Sequence, residues 1–268
     1  LTTAMFYDNR GRVIQAQGDN HLGGADISTT QYDFAGRVLH THTMHENPQS
    51  GIDGSTEILK RFTYDHAGRL ETIAEKLGSG SFKTLVVNSY NELGELESKV
   101  LGDNLETLDY DYNVRGWLKS INGDYVAGNS NTNFFGMDLS YDAGFEQNRL
   151  NGNISGVKWK TKSSAKQRAY GFDYDASNRL KVAHYNQKGG TAQGGIETDW
   201  SKTLSNFSSY YAYDANGNIL RLARKGVVAG TIMDIDRLNY DYGAGSHQPG
   251  ASNQLIAVLD TQGDMGQG

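Results

Sequence analysis

The stretch Tyr7-Asp8-Asn9-Arg10-Gly11-Arg12-Val13-Ile14 decides the fold, because it returns along the chain in the same frame. Two close copies are Tyr32-Asp33-Phe34-Ala35-Gly36-Arg37-Val38-Leu39 and Tyr64-Asp65-His66-Ala67-Gly68-Arg69-Leu70. Self-similarity of this kind is the sequence signature of repeat architectures. The chain is therefore predicted to be an array of one recurring unit.

Four weaker copies keep the same frame and depart from the motif at one or two positions. They are Tyr90-Asn91-Glu92-Leu93-Gly94-Glu95-Leu96, Tyr112-Asn113-Val114-Arg115-Gly116-Trp117-Leu118, Tyr174-Asp175-Ala176-Ser177-Asn178-Arg179-Leu180 and Tyr213-Asp214-Ala215-Asn216-Gly217-Asn218-Ile219. Two further pairs, Tyr141-Asp142 and Tyr240-Asp241, occur where a copy is due but lack the full tail. The spacing between tyrosines varies, so the connection opposite the motif tolerates insertions.

Each copy is predicted to be a β-hairpin turn. Aspartate suits the first position of a type I turn, and glycine suits the left-handed position that closes a hairpin with a bulge. Asn178 replaces glycine in one copy, and asparagine is the next most tolerant residue of positive φ. The flanks alternate as strands do, and no segment of a dozen residues has helical periodicity. The predicted fold is a single all-β array of antiparallel hairpins over residues 1–268.

Tyrosine and arginine flank each turn. On hairpin geometry Tyr7 and Arg12 of one copy would face each other across two strands, and their contact would contribute about 0.5 to 1 kcal/mol. The residues predicted to carry the repeat are Tyr7, Asp8, Gly11, Arg12, Tyr32, Asp33, Gly36, Arg37, Tyr64, Asp65, Gly68, Arg69, Tyr90, Gly94, Tyr112, Gly116, Tyr174, Asp175, Arg179, Tyr213, Asp214 and Gly217.

The composition favours a thin, folded β-sheet. The chain has 33 Gly, 16 Tyr, 2 Pro and no Cys, with a mean hydropathy of -0.60. Turn formers and aromatic β-formers with few aliphatics argue against both disorder and a thick aliphatic core. A net charge of -6, spread along the chain, gives no reason to expect nucleic acid or an anionic membrane as partner. No apolar run approaches the roughly 20 residues of a membrane span.

The segment His40-Thr41-His42-Thr43-Met44-His45-Glu46 is the best candidate for a metal site. His40 and His42 would share one face of a strand, and His45 follows within reach. A polar strand facing solvent explains the same residues, and we predict no metal and no cofactor. Asp214 to Asn218 opens like a calcium loop, but Lys225 stands at the twelfth position, where a bidentate Glu is required.

Catalytic signatures are weak. The chain has no Gly-x-Ser-x-Gly and no Walker-type loop, and it lacks cysteine. Glu95 with Glu97, and Asp109 with Asp111, would lie on one strand face, and glycosidases use two carboxylates. Solvated acidic residues on polar strands are the commoner explanation, so we predict that the chain is not an enzyme.

Exposed aromatic side chains with polar neighbours suit the faces of sugar rings. Trp117, Trp159 and Trp200 are the candidates for such stacking. The recurring tyrosines are already explained by the hairpin position, where an amphipathic ring covers a thin core.

The forms Tyr-Asp-x-x-Gly-Arg-Leu and Tyr-Asp-x-Asn-Gly-Asn-Ile resemble the YD repeats of bacterial Rhs proteins, of the C component of insecticidal toxin complexes and of animal teneurins. The resemblance covers essentially the whole chain, and residues 151–159 and 253–258 are similar to Rhs-like proteins of Bacteroidetes. In that family the repeats form a β-ribbon that spirals into a hollow shell. The resemblance therefore implies a curved or spiralling sheet, part of a β-cocoon, which leaves few free edges.

The resemblance also implies a function. We expect a shell segment of a large secreted or cell-surface protein that encloses or delivers a C-terminal toxin. Its partners would be the rest of its own longer chain, secretion machinery or surface glycans. The alternatives are an adhesin that binds glycans or a protein through variable loops, and an enzyme acting on polysaccharide.

One departure from the family concerns processing. Pro48 and Pro249 are the two prolines, so the chain has no Asp-Pro and lacks the self-cleaving core region that follows the family's shell. The start at Leu1, without Met or signal peptide, and the Gly-rich end after Gly263 lead us to expect a piece of a longer polypeptide.

Overall fold

The computed structural model describes residues 2–51, 54–145, 148–164, 166–188, 207–243 and 253–262. Within these ranges almost every regular element is a β-strand, paired antiparallel with its neighbours in sequence. The predicted fold class, an all-β series of antiparallel hairpins, is confirmed. The chain divides into two compact units, Leu1–Tyr110 and Asp111–Gly268.

Nine strands begin in the described part of the first unit, and the last two residues of β9 belong to the second. They are β1 (Thr3–Tyr7), β2 (Val13–Asp19), β3 (Ala25–Tyr32), β4 (Val38–Glu46), β5 (Ser55–Tyr64), β6 (Leu70–Leu77), β7 (Lys83–Tyr90), β8 (Leu96–Leu101) and β9 (Glu106–Tyr112).

Nine strands and one short helix make up the described part of the second unit. They are β10 (Leu118–Ile121), α1 (Gly123–Ala127), β11 (Phe135–Ser140), β12 (Gly156–Thr161), β13 (Gln167–Tyr174), β14 (Leu180–Gln187), β15 (Ser209–Tyr213), β16 (Ile219–Val228), β17 (Thr231–Asp241) and β18 (Ala257–Asp260).

A one-residue bulge accompanies the motif turn. Phe6 pairs with Gln15, whereas Tyr7 pairs with Val13, and the same shift precedes the motif tyrosine in six described hairpins. Gly11 has a φ of 75°, and its N–H donates to the carbonyl of Asp8 at 3.1 Å. A turn closed by a left-handed residue and followed by a bulge is the geometry predicted from Asp-x-x-Gly. Asn178, with a φ of 62°, takes the place of glycine as expected.

The apolar interior is thin. Among the described residues, the buried hydrophobic side chains are small or aromatic rather than long aliphatics: Ala74, Tyr125, Val126, Ala169, Ala183 and Tyr185. Most strand residues are half-buried instead. The stability of the sheet must therefore depend heavily on contacts made along it, from strand to strand.

The second unit carries an additional layer, helix α1, which packs on β11 to β13. Its Val126 is buried against Gly136, where a Cβ would lie 2.8 Å from Val126 Cγ2. Lys160 donates to the carbonyl of Tyr125 at 3.3 Å, and Gln167 donates to the carbonyl of Val126. The sequence analysis found no segment of a dozen residues with helical periodicity, and α1, Gly123–Ala127, is shorter than that. Five residues are too short to produce the periodicity that identifies a helix in a sequence.

Candidate functional site

The motif aspartate organises its own turn. Asp8 Oδ1 accepts the backbone N–H of Arg10 at 2.8 Å and of Arg12 at 2.9 Å, and its Oδ2 accepts Nε of Arg12 at 2.6 Å. The same Nε–Oδ2 ion pair, also 2.6 Å long, joins Asp33 to Arg37, Asp65 to Arg69 and Asp175 to Arg179.

These contacts shift the titration of the aspartates. The backbone N–H of Arg12, with help from its guanidinium and against partial desolvation, lowers the pKa of Asp8. The backbone N–H of Arg179 lowers the pKa of Asp175 in the same way. Each turn is therefore held by an ionised carboxylate that accepts several donors at once.

The arginine of each turn reaches the next copy. The guanidinium of Arg12 lies 4.7 Å from the ring centroid of Tyr32, and its Nη1 donates to the carbonyl of Asp33 at 3.1 Å. The equivalent cation–π contacts are Arg37 with Tyr64 (5.0 Å), Arg69 with Tyr90 (4.5 Å) and Arg179 with Tyr213 (4.8 Å). The expected pairing of Tyr7 with Arg12 across their own hairpin is therefore wrong, because the Arg12 ion pair with Asp8 directs the guanidinium toward the following turn.

The tyrosine hydroxyl completes the link in the opposite direction. Tyr32 donates to the carbonyl of Val13, the residue after Arg12, at 3.0 Å. The same bond, 2.8 to 2.9 Å long, runs from Tyr64 to Val38, Tyr90 to Leu70, Tyr141 to Leu118, Tyr174 to Ile154 and Tyr213 to Leu180. Desolvation raises the pKa of Tyr141, Tyr174 and Tyr213, so the donating hydroxyl stays protonated.

In two of the links the motif glycine is required for two reasons. Gly68 has a φ of 81°, and a Cβ there would lie 3.1 Å from Nη1 of Arg37 in the preceding copy. For Gly94 the corresponding distance, to Nη1 of Arg69, is 3.0 Å. Glycine thus permits both the left-handed turn and the close approach of the neighbouring guanidinium.

Two copies place tryptophan or glutamate at the arginine position. Trp117 packs on Tyr141 of the next copy with ring centroids 5.2 Å apart, and thereby contacts the same partner that arginine contacts elsewhere. Glu95 instead accepts Nδ2 of Asn91 at 2.8 Å, so the polarity within that turn is reversed.

The structure also reveals a copy split by an insertion. The Tyr141 hydroxyl donates to the Leu118 carbonyl of the preceding copy, as the first residue of other copies does. The carbonyl that accepts the Tyr174 hydroxyl of the next copy belongs to Ile154, so residue 154 stands at the end of the same copy. A Cβ at Gly152 would lie 3.1 Å from the Trp117 ring, just as a Cβ at Gly68 would lie 3.1 Å from Arg37 of the preceding copy. The tail missing after Tyr141-Asp142 is therefore residues 151–154. Their sequence, Asn-Gly-Asn-Ile, is identical to residues 216–219 and was the signal available in the sequence.

Asparagine replaces arginine in two links. Nδ2 of Asn151 and of Asn153 both donate to Oδ1 of Asn178, at 2.8 and 3.1 Å. Nδ2 of Asn216 and of Asn218 donate to Oδ1 of Asn253, at 3.2 and 2.9 Å. In these copies two amides converge on one acceptor at the position where arginine reaches the next copy elsewhere, and in the first of them the guanidinium of Arg149 also lies 5.2 Å from the ring centroid of Tyr174.

The three candidate metal ligands are not brought together. His40 contacts Gln31 (3.0 Å), His42 lies near Glu57 (3.7 Å) and His45 contacts Asp26 (2.5 Å). These are separate cross-strand pairs. Across the described ranges, no group of three His, Cys, Asp or Glu side chains is arranged to hold a metal ion.

The candidate carboxylates are also engaged separately. Asp111 accepts the hydroxyl of Ser120 at 2.8 Å, and Asp109 pairs in register with Ser98. Burial raises the pKa of Asp138, with Asp111 adding to the shift and Lys158 and Lys119 opposing it. The Asp214 carboxylate accepts the N–H groups of Asn216 and Asn218 at 2.9 and 2.8 Å, as a turn aspartate does.

Two of the three candidate tryptophans pack against neighbouring side chains. Trp117 contacts Tyr141 and lies 5.0 Å from the guanidinium of Arg115. Trp159 stacks on Tyr170, with centroids 5.6 Å apart and ring planes 16° from parallel. Trp200 lies outside the described residues. The described part of the chain includes no helix with the length and apolar character needed to cross a membrane.

Comparison with known proteins supports the fold. No protein-family model matches the chain, and no curated protein matches its sequence. The solved structure of TcdB2-TccC3 without its hypervariable C-terminal region is similar, with a TM-score of 0.56 at 14% identity over 90% of this chain. TcdB2-TccC3-TEV and the Tc holotoxin pore of Photorhabdus luminescens give TM-scores of 0.35 and 0.34 at 11% identity, too low to carry an argument. The chain thus has a Tc-like fold and spans 14% of the length of the TcdB2-TccC3 chain.

Proposed function

We propose that this chain is a structural wall segment of a large Rhs-like shell protein, without enzymatic activity of its own, and that the shell encloses or delivers a polypeptide effector. The links between copies carry the proposal. Each link joins one hairpin to the next through an arginine or its substitute and a tyrosine hydroxyl, so the sheet gains stability as hairpins are added.

The thin interior also supports a wall. A sheet that separates two spaces is accessible on both faces, and it must then be stabilised by contacts within the sheet rather than by a thick core. The half-buried strands and the short set of buried hydrophobic side chains among the described residues fit this requirement. We also propose that the protein is secreted or lies at the bacterial cell surface, as the resemblance to Rhs repeats implies.

Limited proteolysis of the full-length natural polypeptide tests the proposal. We expect a region outside the repeats to resist protease in the folded protein and to be digested once links are broken by Arg37→Leu with Arg69→Leu. The matched control is Lys181→Leu, which replaces an exposed cation outside any link. Equal digestion of that region in the natural protein and in isolation would refute enclosure.

The exposed turn tips favour a second candidate, an adhesin that binds a protein partner. Phe34 and Leu93 keep 85% of their surface exposed, and Val114 is fully exposed, although all three are hydrophobic. Apolar side chains displayed at turn tips suit a protein surface better than a glycan. Loss of cell adhesion on Phe34→Ser, Leu93→Ser and Val114→Ser, but not on Ala215→Ser, would support this role over enclosure.

A further inference from the structure

Two links in the second unit depend on the side-chain amide of an asparagine that precedes glycine. Asn151 donates to Asn178 at 2.8 Å and is followed by Gly152, and Asn216 donates to Asn253 at 3.2 Å and is followed by Gly217. In an Asn-Gly sequence the next backbone nitrogen attacks the side-chain amide most readily, because glycine has no side chain to obstruct it. We propose that Asn151 and Asn216 are spontaneous deamidation sites that weaken the connection between neighbouring copies as the protein ages.

The chemistry needs only water. The backbone nitrogen of the glycine loses its proton to hydroxide and attacks Cγ of the asparagine, forming a new C–N bond. The bond from Cγ to the amide nitrogen breaks, and the nitrogen leaves as ammonia after taking up a proton from solvent. Water then opens the cyclic imide at either carbonyl and gives aspartate or isoaspartate. One water is consumed and one ammonia released, with no change in oxidation state.

The product cannot make the link. An ionised carboxylate accepts hydrogen bonds but donates none, and it would face the amide oxygen of Asn178 or Asn253. Isoaspartate additionally lengthens the backbone within the turn. The second donor of each link, Asn153 or Asn218, stays in place, so each conversion weakens its link without removing it.

The two sites differ in the hydrogen bonds that control the attack. Oδ1 of Asn151 accepts the N–H of Asn153 at 3.1 Å, which polarises the amide and makes Cγ more electrophilic. The N–H of Gly217 instead donates to the carbonyl of Asp214 at 3.2 Å, which engages the nucleophile. Both asparagines are exposed to the water that the reaction requires. Asn151 should therefore convert faster than Asn216.

The third Asn-Gly sequence of the chain provides an internal control. Asn122 retains 4% of its surface exposed and precedes Gly123 at the start of α1. Its Nδ2 donates to the carbonyl of Phe135 at 2.8 Å. Burial excludes water and the packed helix start restricts the approach of the backbone nitrogen, so Asn122 should convert most slowly.

Peptide mapping by tandem mass spectrometry, with chromatographic separation of aspartate and isoaspartate forms, tests this order. The 268-residue chain is incubated at mildly alkaline pH, folded and in parallel in urea. In urea all three sites should convert at similar rates, whereas in the folded chain the order should be Asn151, then Asn216, then Asn122. Conversion of Asn122 as fast as the others in the folded chain overturns the proposal. So does retention of both exposed amides while urea-treated chain loses them.

The effect of deamidation on the links is tested by replacing each asparagine with aspartate, one of its two products. Asn151→Asp and Asn216→Asp should lower the unfolding temperature and increase amide hydrogen exchange in the hairpins on either side of the changed link. Asn9→Asp is the matched control, since it adds the same charge to a turn that is linked through Arg12. Equal effects of all three variants would show that charge alone, and not loss of the link, accounts for the change.

Discussion

In the first unit the link position of the motif holds arginine in three successive copies and glutamate in the fourth, whereas in the second unit it holds tryptophan, asparagine, arginine and asparagine in turn. Arg12, Arg37 and Arg69 each contact the tyrosine of the following copy. Trp117 makes the same contact through its ring, and Asn153 reaches an asparagine instead. The frame therefore fixes where the link lies, while its chemistry can vary.

The second unit also has an additional packed layer, which the described part of the first unit lacks. Helix α1 covers Gly136, and Phe145, from the insertion in the split copy, lies over Gly156 and Gly171. This extra layer accompanies links in which tryptophan and asparagine occur beside arginine. In the second unit, packing against one face is thus added to the links along the turns, which there include the Arg149–Tyr174 and Arg179–Tyr213 contacts.

Gly68→Val should have the largest effect and should act on the first unit. A β-branched residue in the left-handed region costs about 1 to 3 kcal/mol, and here its side chain also meets the Arg37 guanidinium. Gly11→Val is the control, because Gly11 has a similar φ but no atom within 4 Å of its Cβ position. Chemical denaturation should show a larger loss of unfolding free energy for Gly68→Val than for Gly11→Val. Equal losses would show that the contact with the Arg37 guanidinium adds nothing to the cost of the left-handed backbone.

Gly136→Ala tests the extra layer of the second unit. The added methyl group would lie 2.8 Å from Val126 and 2.9 Å from the Asn122 carbonyl, and we expect a loss of about 1 to 2 kcal/mol from overpacking. Hydrogen exchange should increase in α1 and β11 to β13. Gly51→Ala, where nothing lies within 4 Å, should leave exchange unchanged. Unchanged exchange in both variants would mean that α1 contributes little to the unit.

Tyr64→Phe removes the hydroxyl of a link and keeps the ring beneath Arg37. Loss of the 2.8 Å bond to the Val38 carbonyl should lower the free energy of unfolding by about 1 kcal/mol. Tyr7→Phe is the control, because the described contact of that hydroxyl is with Met5 Sδ at 3.5 Å on an exposed strand. Equal decreases in unfolding temperature for the two variants would contradict a role of the Tyr64 hydroxyl in linking copies.

Arg69→Gln and Arg179→Gln test whether the same link has the same strength in the two units. Each removes a guanidinium–ring contact worth about 0.5 to 1 kcal/mol together with the ion pair to the turn aspartate. We expect equal losses in a denaturant titration. A clearly smaller loss for Arg179→Gln would indicate that the extra layer of the second unit compensates for a broken link.

Acid should loosen the turns that are held by an aspartate and spare those held by an asparagine. Because the folded protein lowers the pKa of Asp8 and Asp175, the stabilisation is complete above the ordinary aspartate range and is lost as the pH falls below about 4. Hydrogen exchange at these turns should increase on acidification. The turn of Asn113, whose side chain accepts the N–H groups of Arg115 and Trp117, should not respond, and a parallel response there would refute the carboxylate as the cause.

The turns could be predicted from the sequence because their cause is local. Asp-x-x-Gly specifies a turn through one side-chain acceptor and one residue that tolerates positive φ, and both lie within five positions. The substitution at Asn178 followed the same rule.

The direction of the links could not be predicted in this way. The path of the Arg12 side chain depends on its ion pair with Asp8, which holds the guanidinium against Tyr32 of the following copy. The split copy was hidden because an insertion separates Tyr141 from Asn151 in sequence. Helix α1 is too short to leave a periodic pattern, and its position depends on the space above Gly136.

The reach of the tyrosine bonds bears on how such a chain acquires its structure. The described hydroxyl-to-carbonyl bonds of the motif tyrosines close over 19 to 33 residues, and each joins a hairpin to the one made just before it. Contacts of short sequence separation form quickly and need no distant part of the chain. A hairpin can therefore dock as soon as it leaves a ribosome or a secretion channel, and assembly can keep pace with synthesis. The array would then always expose a single growing edge, rather than many unpaired strands open to aggregation.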